Sequence, residues 1–217
     1  MALAIFDLDE TLISSDSDHE WGQYVGEAGL VDAEAHQRQN DIFYQQYKAG
    51  ELDVDEYLKF ACSVLTAHPL DLLNQHLTAF VAERIKPVVL PRAIELVDRH
   101  RNQGDYVMVI TTTNEFSTRP NVDLFGIETL LAPNPEFIGG LYTGAIEGVP
   151  TFGPGKVTRL NAWLENSNYD LEGSFFYSDS HNDLPLLRKV DHPVAVDPDP
   201  VLRQEAAANR WPIVTLR

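Results

Sequence analysis

Near its start the chain reads Leu3-Ala4-Ile5-Phe6-Asp7-Leu8-Asp9-Glu10-Thr11-Leu12. A short apolar run gives way abruptly to carboxylates. That pattern predicts a buried β-strand from Leu3 to Leu8. In parallel α/β sheets, ligands bind outside the carboxyl ends of the strands, so the acidic end is expected to open onto a site. Asp7 and Asp9 are two residues apart, which in an extended chain places both on one side. Two carboxylates that close repel, and do not both ionise without a cation.

The same pattern returns downstream. Asp105–Ile110 predicts a strand ending in Thr111-Thr112-Thr113-Asn114, and Gly173–Tyr177 one ending in Ser178-Asp179-Ser180-His181-Asn182-Asp183. Further strands are expected at Ile127–Ala132, Pro193–Val196 and Ile213–Leu216. A hairpin is expected within Phe137–Gly148, around Gly139-Gly140. Helical segments are expected at 91–102, 156–165, 184–190 and 200–209. Pro91 suits a first helical turn, and Gly153-Pro154-Gly155 leads into Lys156. Strands alternating with helices predict an α/β fold with a doubly wound, mostly parallel sheet.

Between the first two strands the character changes. Helices are expected around 18–29, 33–48, 53–67 and 70–86, with breaks at Gly29, Gly50, Pro69 and Pro87. Tyr57, Phe60, Ala61 and Val64 have helical spacing. Ser17 is the expected N-cap, with Glu20 completing a capping box. The block is too long for one crossover and reads as an inserted all-helical cap over 16–87. Residues 1–15 and 88–217 then form the core.

Composition narrows the function. The 217 residues carry 33 acidic and 16 basic side chains, a net charge of −17. Such a surface repels nucleic acid and anionic membranes. It also repels phosphorylated molecules, unless a bound cation and a well-placed lysine act locally. No apolar run approaches the ~20 residues of a spanning helix. The amino terminus has neither a basic region nor a long apolar stretch, so no secretory signal is expected. Cys62 is the single cysteine, which excludes an intrachain disulfide and reads as a buried thiol. The cytoplasm is the expected compartment.

Asp179 and Asp183 add to the charge that Asp7 and Asp9 gather. A hard divalent ion with oxygen ligands answers it, and magnesium is the default where phosphate is bound. No histidine pair has zinc spacing. Taken singly, each feature has a bland reading: a surface turn for Asp7-Leu8-Asp9, a helix cap for Asp179 or Asp183, strand chemistry for Thr111, a solvated helix residue for Lys156. Their order, each at a strand end or helix start, favours one site.

In that order the motifs resemble the haloacid dehalogenase superfamily. Phe6 to Leu12 resembles its first motif, Asp-x-Asp-x-Thr in the phosphatases. Thr111 is similar to the second, Lys156 to the third, and Ser178 to Asp183 to the fourth. The helical insertion is similar to that of the phosphoserine-phosphatase-like branch. The resemblance implies a Mg2+-dependent phosphomonoester hydrolase. Asp7 would be the nucleophile and form an aspartyl-phosphate. Asp9 would serve as general acid, then base, while lending its backbone carbonyl to the metal. Asp7 and Asp179 would ligate the metal by side chain. Asp183 would act from behind on a metal-bound water or on Lys156, with Asn182 beside it. Thr111, Thr112 and Lys156 would hold the phosphoryl oxygens.

For the leaving group, the position nine residues after the nucleophile meets the substrate amine in phosphoserine phosphatases; here it is Asp16. Asp16 is thus a candidate for binding a cationic group, or merely part of a helix start. A phosphoserine carboxylate also needs a cation, and this region offers only Arg38 and Lys48. Histidinol phosphate, without a carboxylate, suits an acidic pocket as well as phosphoserine does. A phosphotransferase using the same aspartyl-phosphate and a non-catalytic phosphate-binding regulator are the alternatives. A dehalogenase is disfavoured, since those enzymes generally lack the second aspartate.

Overall fold

The structure is a computed structural model that describes residues 2–217. Its centre is a six-stranded parallel sheet in the order β3-β2-β1-β6-β7-β8. The strands are β1 Leu3–Phe6, β2 Tyr106–Ile110, β3 Thr129–Leu131, β6 Phe175–Ser178, β7 His192–Val196 and β8 Ile213–Val214. A separate antiparallel hairpin pairs β4 Asn134–Ile138 with β5 Leu141–Glu147. Its turn is Gly139-Gly140, both at positive φ (61° and 89°), as a tight two-residue hairpin turn requires.

β1 lies between β2 and β6, with Phe6 opposite both Val109 and Tyr177. The chain builds outward on one side to β3, then returns to the other side for β6, β7 and β8. The gap between β1 and β6 is therefore the topological switch point, where such sheets form their binding crevice. β1 is apolar throughout because both faces are covered. Leu3 and Ile5 pack with Met108, Ile110, Phe176 and Leu160, while Ala4 and Phe6 pack on the opposite face with Val109, Tyr177, Leu96 and Val97.

The segment between β1 and β2 is helical: α1 Ser17–Glu27, α2 Ala33–Ala49, α3 Val54–Ala67 and α4 Leu70–Phe80. A π-helical turn, Val81–Ile85, and a 3-10 turn, Lys86–Val88, continue α4 where one helix to residue 86 is expected. After α5 Pro91–Gln103, the remaining helices are α6 Glu115–Asp123, α7 Pro154–Glu165, α8 Leu184–Leu187 and α9 Pro200–Asn209. α8 starts at Leu184 as expected but ends at Leu187 rather than Val190, and a 3-10 turn, His181–Asp183, leads into it.

Three local expectations change. Ser17 is not the N-cap of α1; Asp16 is. The Asp16 backbone is extended, and its Oδ1 accepts from Asp18 N (3.1 Å) and His19 N (2.9 Å). A carboxylate there suits the positive helix end as well as its free N–H groups. β1 ends at Phe6, not Leu8. A turn follows in which Thr11 N and Leu12 N donate to the Leu8 carbonyl and Glu10 takes φ 55°. Helix α6 was not expected. Asn114 caps it through Ser117 N (3.3 Å), while Pro120 inside it removes an N–H and masks its sequence pattern.

Candidate active site

Backbone pairing brings three strand ends level. Asp7 N donates to the Tyr177 carbonyl (2.9 Å) and Thr111 N to the Leu131 carbonyl (3.0 Å), so Asp7, Thr111 and Asp179 leave the sheet together. Lys156 enters at the first turn of α7. Gly155 makes that approach possible, because a Cβ there would stand 2.0 Å from the Pro150 carbonyl oxygen.

Lys156 is 1% exposed, and its ammonium donates to Asp7 Oδ1 (3.0 Å) and to Asp183 (2.8 Å). Asp183 Oδ2 also accepts from Ser178 Oγ (2.7 Å), which in turn accepts from Ser180 N (3.1 Å). Thr11 Oγ1 donates to Asp179 Oδ1 (3.1 Å). Every polar group in this buried set has a protein partner, which holds the side chains in one geometry.

Burial pushes the Asp7 carboxyl up to about 7, against the opposing pull of Lys156; Asp183 and Asp9 push it further. Burial and Asp7 likewise raise Asp179 well above the usual carboxylate range. Burial also opposes the charge of Lys156, but Asp183 and Asp7 outweigh it and raise its pKa. The set therefore places two buried carboxylates on one ammonium, with the third, Asp179, held by Thr11 and acting on both.

Asp9 is separate from this group. Its Oδ1 accepts from Ser17 N (2.7 Å) and its Oδ2 from Thr113 Oγ1 (2.9 Å), tying the end of β1 to the start of α1 and the end of β2. Burial raises its carboxyl to about 6, Asp16 adds to that, and the Ser17 and Thr113 bonds oppose it. The Thr112 hydroxyl donates to the Thr151 carbonyl (3.1 Å), and the Thr151 hydroxyl donates back to the Thr111 carbonyl. Asn182 turns away: its Nδ2 donates to the Tyr47 carbonyl of α2 (2.9 Å) and so ties the core to the helical block.

Asp7, Asp9, Thr111 and Thr112 open into a cavity whose other wall comes from the helical block: Asp16, Asp18, Asn40, Phe43, Tyr44 and Tyr57. Asp16 thus lines the cavity while it caps α1. Arg38 is exposed and pairs with Glu34, whereas Lys48 lies over the Tyr44 ring (5.3 Å) and acts on Asp16 and Asp179.

Sequence reasoning assigned no role to Thr11, Thr113, Ser178, Asn40, Asp18 or Tyr57. Thr11 was within reach as the last residue of Asp-x-Asp-x-Thr. Asn40 and Tyr57 sit in helices where nothing in the sequence says which face meets the site.

Magnesium suits this donor set. The excess of buried carboxylate over ammonium calls for a hard cation. Among the described residues no three His, Cys, Asp or Glu side chains form a ready-made metal cage. Mg2+ needs none, since it is usually held by one or two carboxylates together with waters and substrate phosphate. Asp7 and Asp179 could supply two carboxylates; the Asp9 carboxylate accepts from Ser17 and Thr113, so its backbone carbonyl is the oxygen it could offer.

The chain matches the haloacid dehalogenase-like hydrolase family over residues 4–188 and belongs to it. Within that family it is a phosphatase. It is 45% identical to the histidinol-phosphatase of Neisseria meningitidis serogroup C (strain 8013), over 99% of each chain. The structure is similar to that of a Bordetella pertussis Tohama I protein of unknown function, with TM-score 0.94 and 39% identity over 100% of this chain and 99% of that one. A phospho-aspartyl intermediate analogue of phosphoserine phosphatase shares the fold, with TM-score 0.72 and 18% identity over 100% of this chain and 93% of that one.

Proposed function

We propose that this phosphatase hydrolyses histidinol phosphate through an aspartyl-phosphate on Asp7. The observation that carries the reading is the cavity in front of Asp7 and Asp9. Its helical wall is acidic and aromatic, and its lining includes no arginine or lysine among the described residues. That lining suits a leaving group with a positive charge, a flat ring and no carboxylate. The 45% identity to a histidinol-phosphatase supports it further. Phosphoserine is the second reading. Lys48, beside Asp16 at the end of α2, is the cation that its carboxylate would have to use.

In the proposed reaction, an Asp7 oxygen attacks phosphorus in line. The new O–P bond forms as the ester O–P bond breaks. Lys156 favours the ionised nucleophile, and its ammonium, with the Thr111 hydroxyl and the Thr112 backbone, holds the phosphoryl oxygens. Asp9, with a carboxyl near 6, carries enough proton to give one to the departing alkoxide and then takes one from the water that attacks the aspartyl-phosphate. Asp183 and Ser178 fix Lys156 from behind. When bound, Mg2+ would neutralise the buried carboxylates and the charge on the transferring phosphoryl group, held by Asp7, Asp179 and the Asp9 carbonyl. The helical block over 16–87 serves as a cap that excludes water from the aspartyl-phosphate. With no helix among the described residues long and apolar enough to cross a membrane, the cytoplasm suits such an enzyme.

Phosphate release tests this, measured with histidinol phosphate, phosphoserine, phosphoethanolamine and a sugar phosphate. The expected result is highest kcat/KM on histidinol phosphate with Mg2+, loss with EDTA, and loss in Asp7→Asn. Equal turnover of sugar phosphates, or metal-independent release by Asp7→Asn, overturns it.

A further inference from the structure

Two aspartates of the helical wall face the cavity, and they are not equivalent. Asp16 is committed to structure: its Oδ1 accepts two backbone N–H groups of α1. Asp18, two residues on, caps no backbone N–H, and the polar side chain that acts on it is the Tyr57 hydroxyl. The charged groups acting on Asp18 are Asp16 and Asp9, both negative, while Lys48 acts on Asp16. Asp18 is therefore a half-buried carboxylate with no cation of the protein beside it. Burial, with Asp16 adding to it, pushes Asp18 up to about 8.

A second, independent feature lies on the same wall. Asn40 is 4% exposed and lines the cavity. Its Nδ2 donates to the His19 carbonyl (2.9 Å), and its Oδ1 accepts no hydrogen bond in the protein. The amide is seated against Gly22, where a Cβ would come within 2.5 Å of Nδ2, so it has little freedom to turn. The oxygen is not sealed from the cavity, so a ligand donor can take the place of water there. Around these two acceptors stand Phe43, Tyr44 and Tyr57, whose ring faces favour a cation.

We propose that Asp18, with the Asn40 amide oxygen as second acceptor, is the residue that reads the positive charge of the leaving group. The substrate class is then a phosphate ester of an ammonium- or imidazolium-bearing alcohol. This rests on the cavity being the leaving-group site of the proposed reaction. Asp16 contributes its field and the seat of α1, and Asp18 makes the contact. The cation restores to Asp18 the charge balance that the protein leaves out, and an ammonium has donors enough for both acceptors.

The test compares wild type, Asp18→Asn and Asp16→Asn on histidinol phosphate and on p-nitrophenyl phosphate, whose leaving group has no cation. For Asp18→Asn, KM for histidinol phosphate is expected to rise about 10- to 100-fold, the size of a lost hydrogen bond to a charged group. The preference, read as the ratio of kcat/KM on histidinol phosphate to that on p-nitrophenyl phosphate, should fall by a similar factor. Equal losses on both esters, or an unchanged preference, overturn the proposal. A second readout needs no turnover: L-histidinol should raise the melting temperature of wild type and not that of Asp18→Asn. If wild type binds histidinol through Asp18 but does not hydrolyse its phosphate, the proposed function fails and the cation site stands. If it hydrolyses the ester and Asp18→Asn keeps the preference, the function stands and the cation site fails. Should neither hydrolysis nor stabilisation occur, both fail. If Asp18→Asn does not fold, Asp18→Glu moves the carboxylate by one methylene and should raise KM for the cationic ester alone.

Discussion

The two walls of the cavity are built on opposite principles. On the sheet side, Lys156, Asp7, Asp183 and Ser178 are nearly inaccessible and bonded to one another. On the helical side, Asp18 and Asn40 face the same space with carboxylate and amide oxygens that the protein leaves largely unpaired. The sheet side is paired within the protein, and the helical side, in the proposed reading, is paired by the substrate. Chemistry common to many esters needs fixed charges, whereas selectivity comes from groups whose partners only the right ligand supplies. A polar group left to water in the free protein discriminates because a ligand without the matching group leaves it unpaired.

The largest effect that separates the walls should come from Asp7→Asn. Loss of the nucleophile is expected to lower kcat by on the order of 10⁴-fold or more on every ester, cationic or neutral, in a phosphate-release assay. A loss confined to cationic esters would move Asp7 into the specificity wall. Next in size is Lys156→Met, which leaves Asp7 and Asp183 facing each other without their ammonium. Breaking a buried pair this way is expected to destabilise the fold by about 3–5 kcal/mol, read by urea unfolding. An unchanged midpoint would show that the sheet side is not preassembled by that pair.

Asp16→Ala removes the cap of α1 and is expected to cost about 1 kcal/mol, seen as a lower melting temperature at every pH where Asp16 is ionised. The smallest effect concerns pH. The Asp18 carboxyl is raised to about 8 in the folded chain, chiefly by burial, against an ordinary value of about 3.9 unfolded. The folded state therefore holds that proton more tightly. The contribution is fully present below about pH 4 and is lost as pH rises toward 8. Asp18→Asn has no such loss, so the ligand-free variant should melt above wild type at pH 8, with the gap closing toward pH 4. Solvent around this half-buried group keeps the gap small. A gap of the opposite sign in differential scanning fluorimetry would mean that Asp18 has a cation partner in the protein.

Much of the sheet side was legible in advance. Apolar runs ending in Asp7, Thr111 and Asp179 mark parallel strands whose ends converge, because a parallel sheet aligns its carboxyl ends at one edge. Lys156 was legible from Gly153-Pro154-Gly155 before it. The N-cap of α1 was misplaced by one residue, since Asp16 and Ser17 are both good caps and only the backbone angles choose between them. Helix α6 was hidden by Pro120. The helical side was the least legible. Asp16 was found by its spacing from Asp7, but Asn40, Asp18 and Tyr57 come from three different helices or helix starts, and no spacing relates them.

By itself, then, the sequence determined the parallel α/β core, the helical insertion and the acidic end of β1 around Asp7, because hydrophobic period and strand-end chemistry are local properties. The tertiary structure decided which carboxylates are paired and which are left open. It seated Lys156 between Asp7 and Asp183, gave Asp9 to Ser17 and Thr113, and brought Asn40 and Tyr57 to Asp18. Partnership between side chains far apart in the chain depends on how helices pack, and that is settled by the whole core rather than by any one segment.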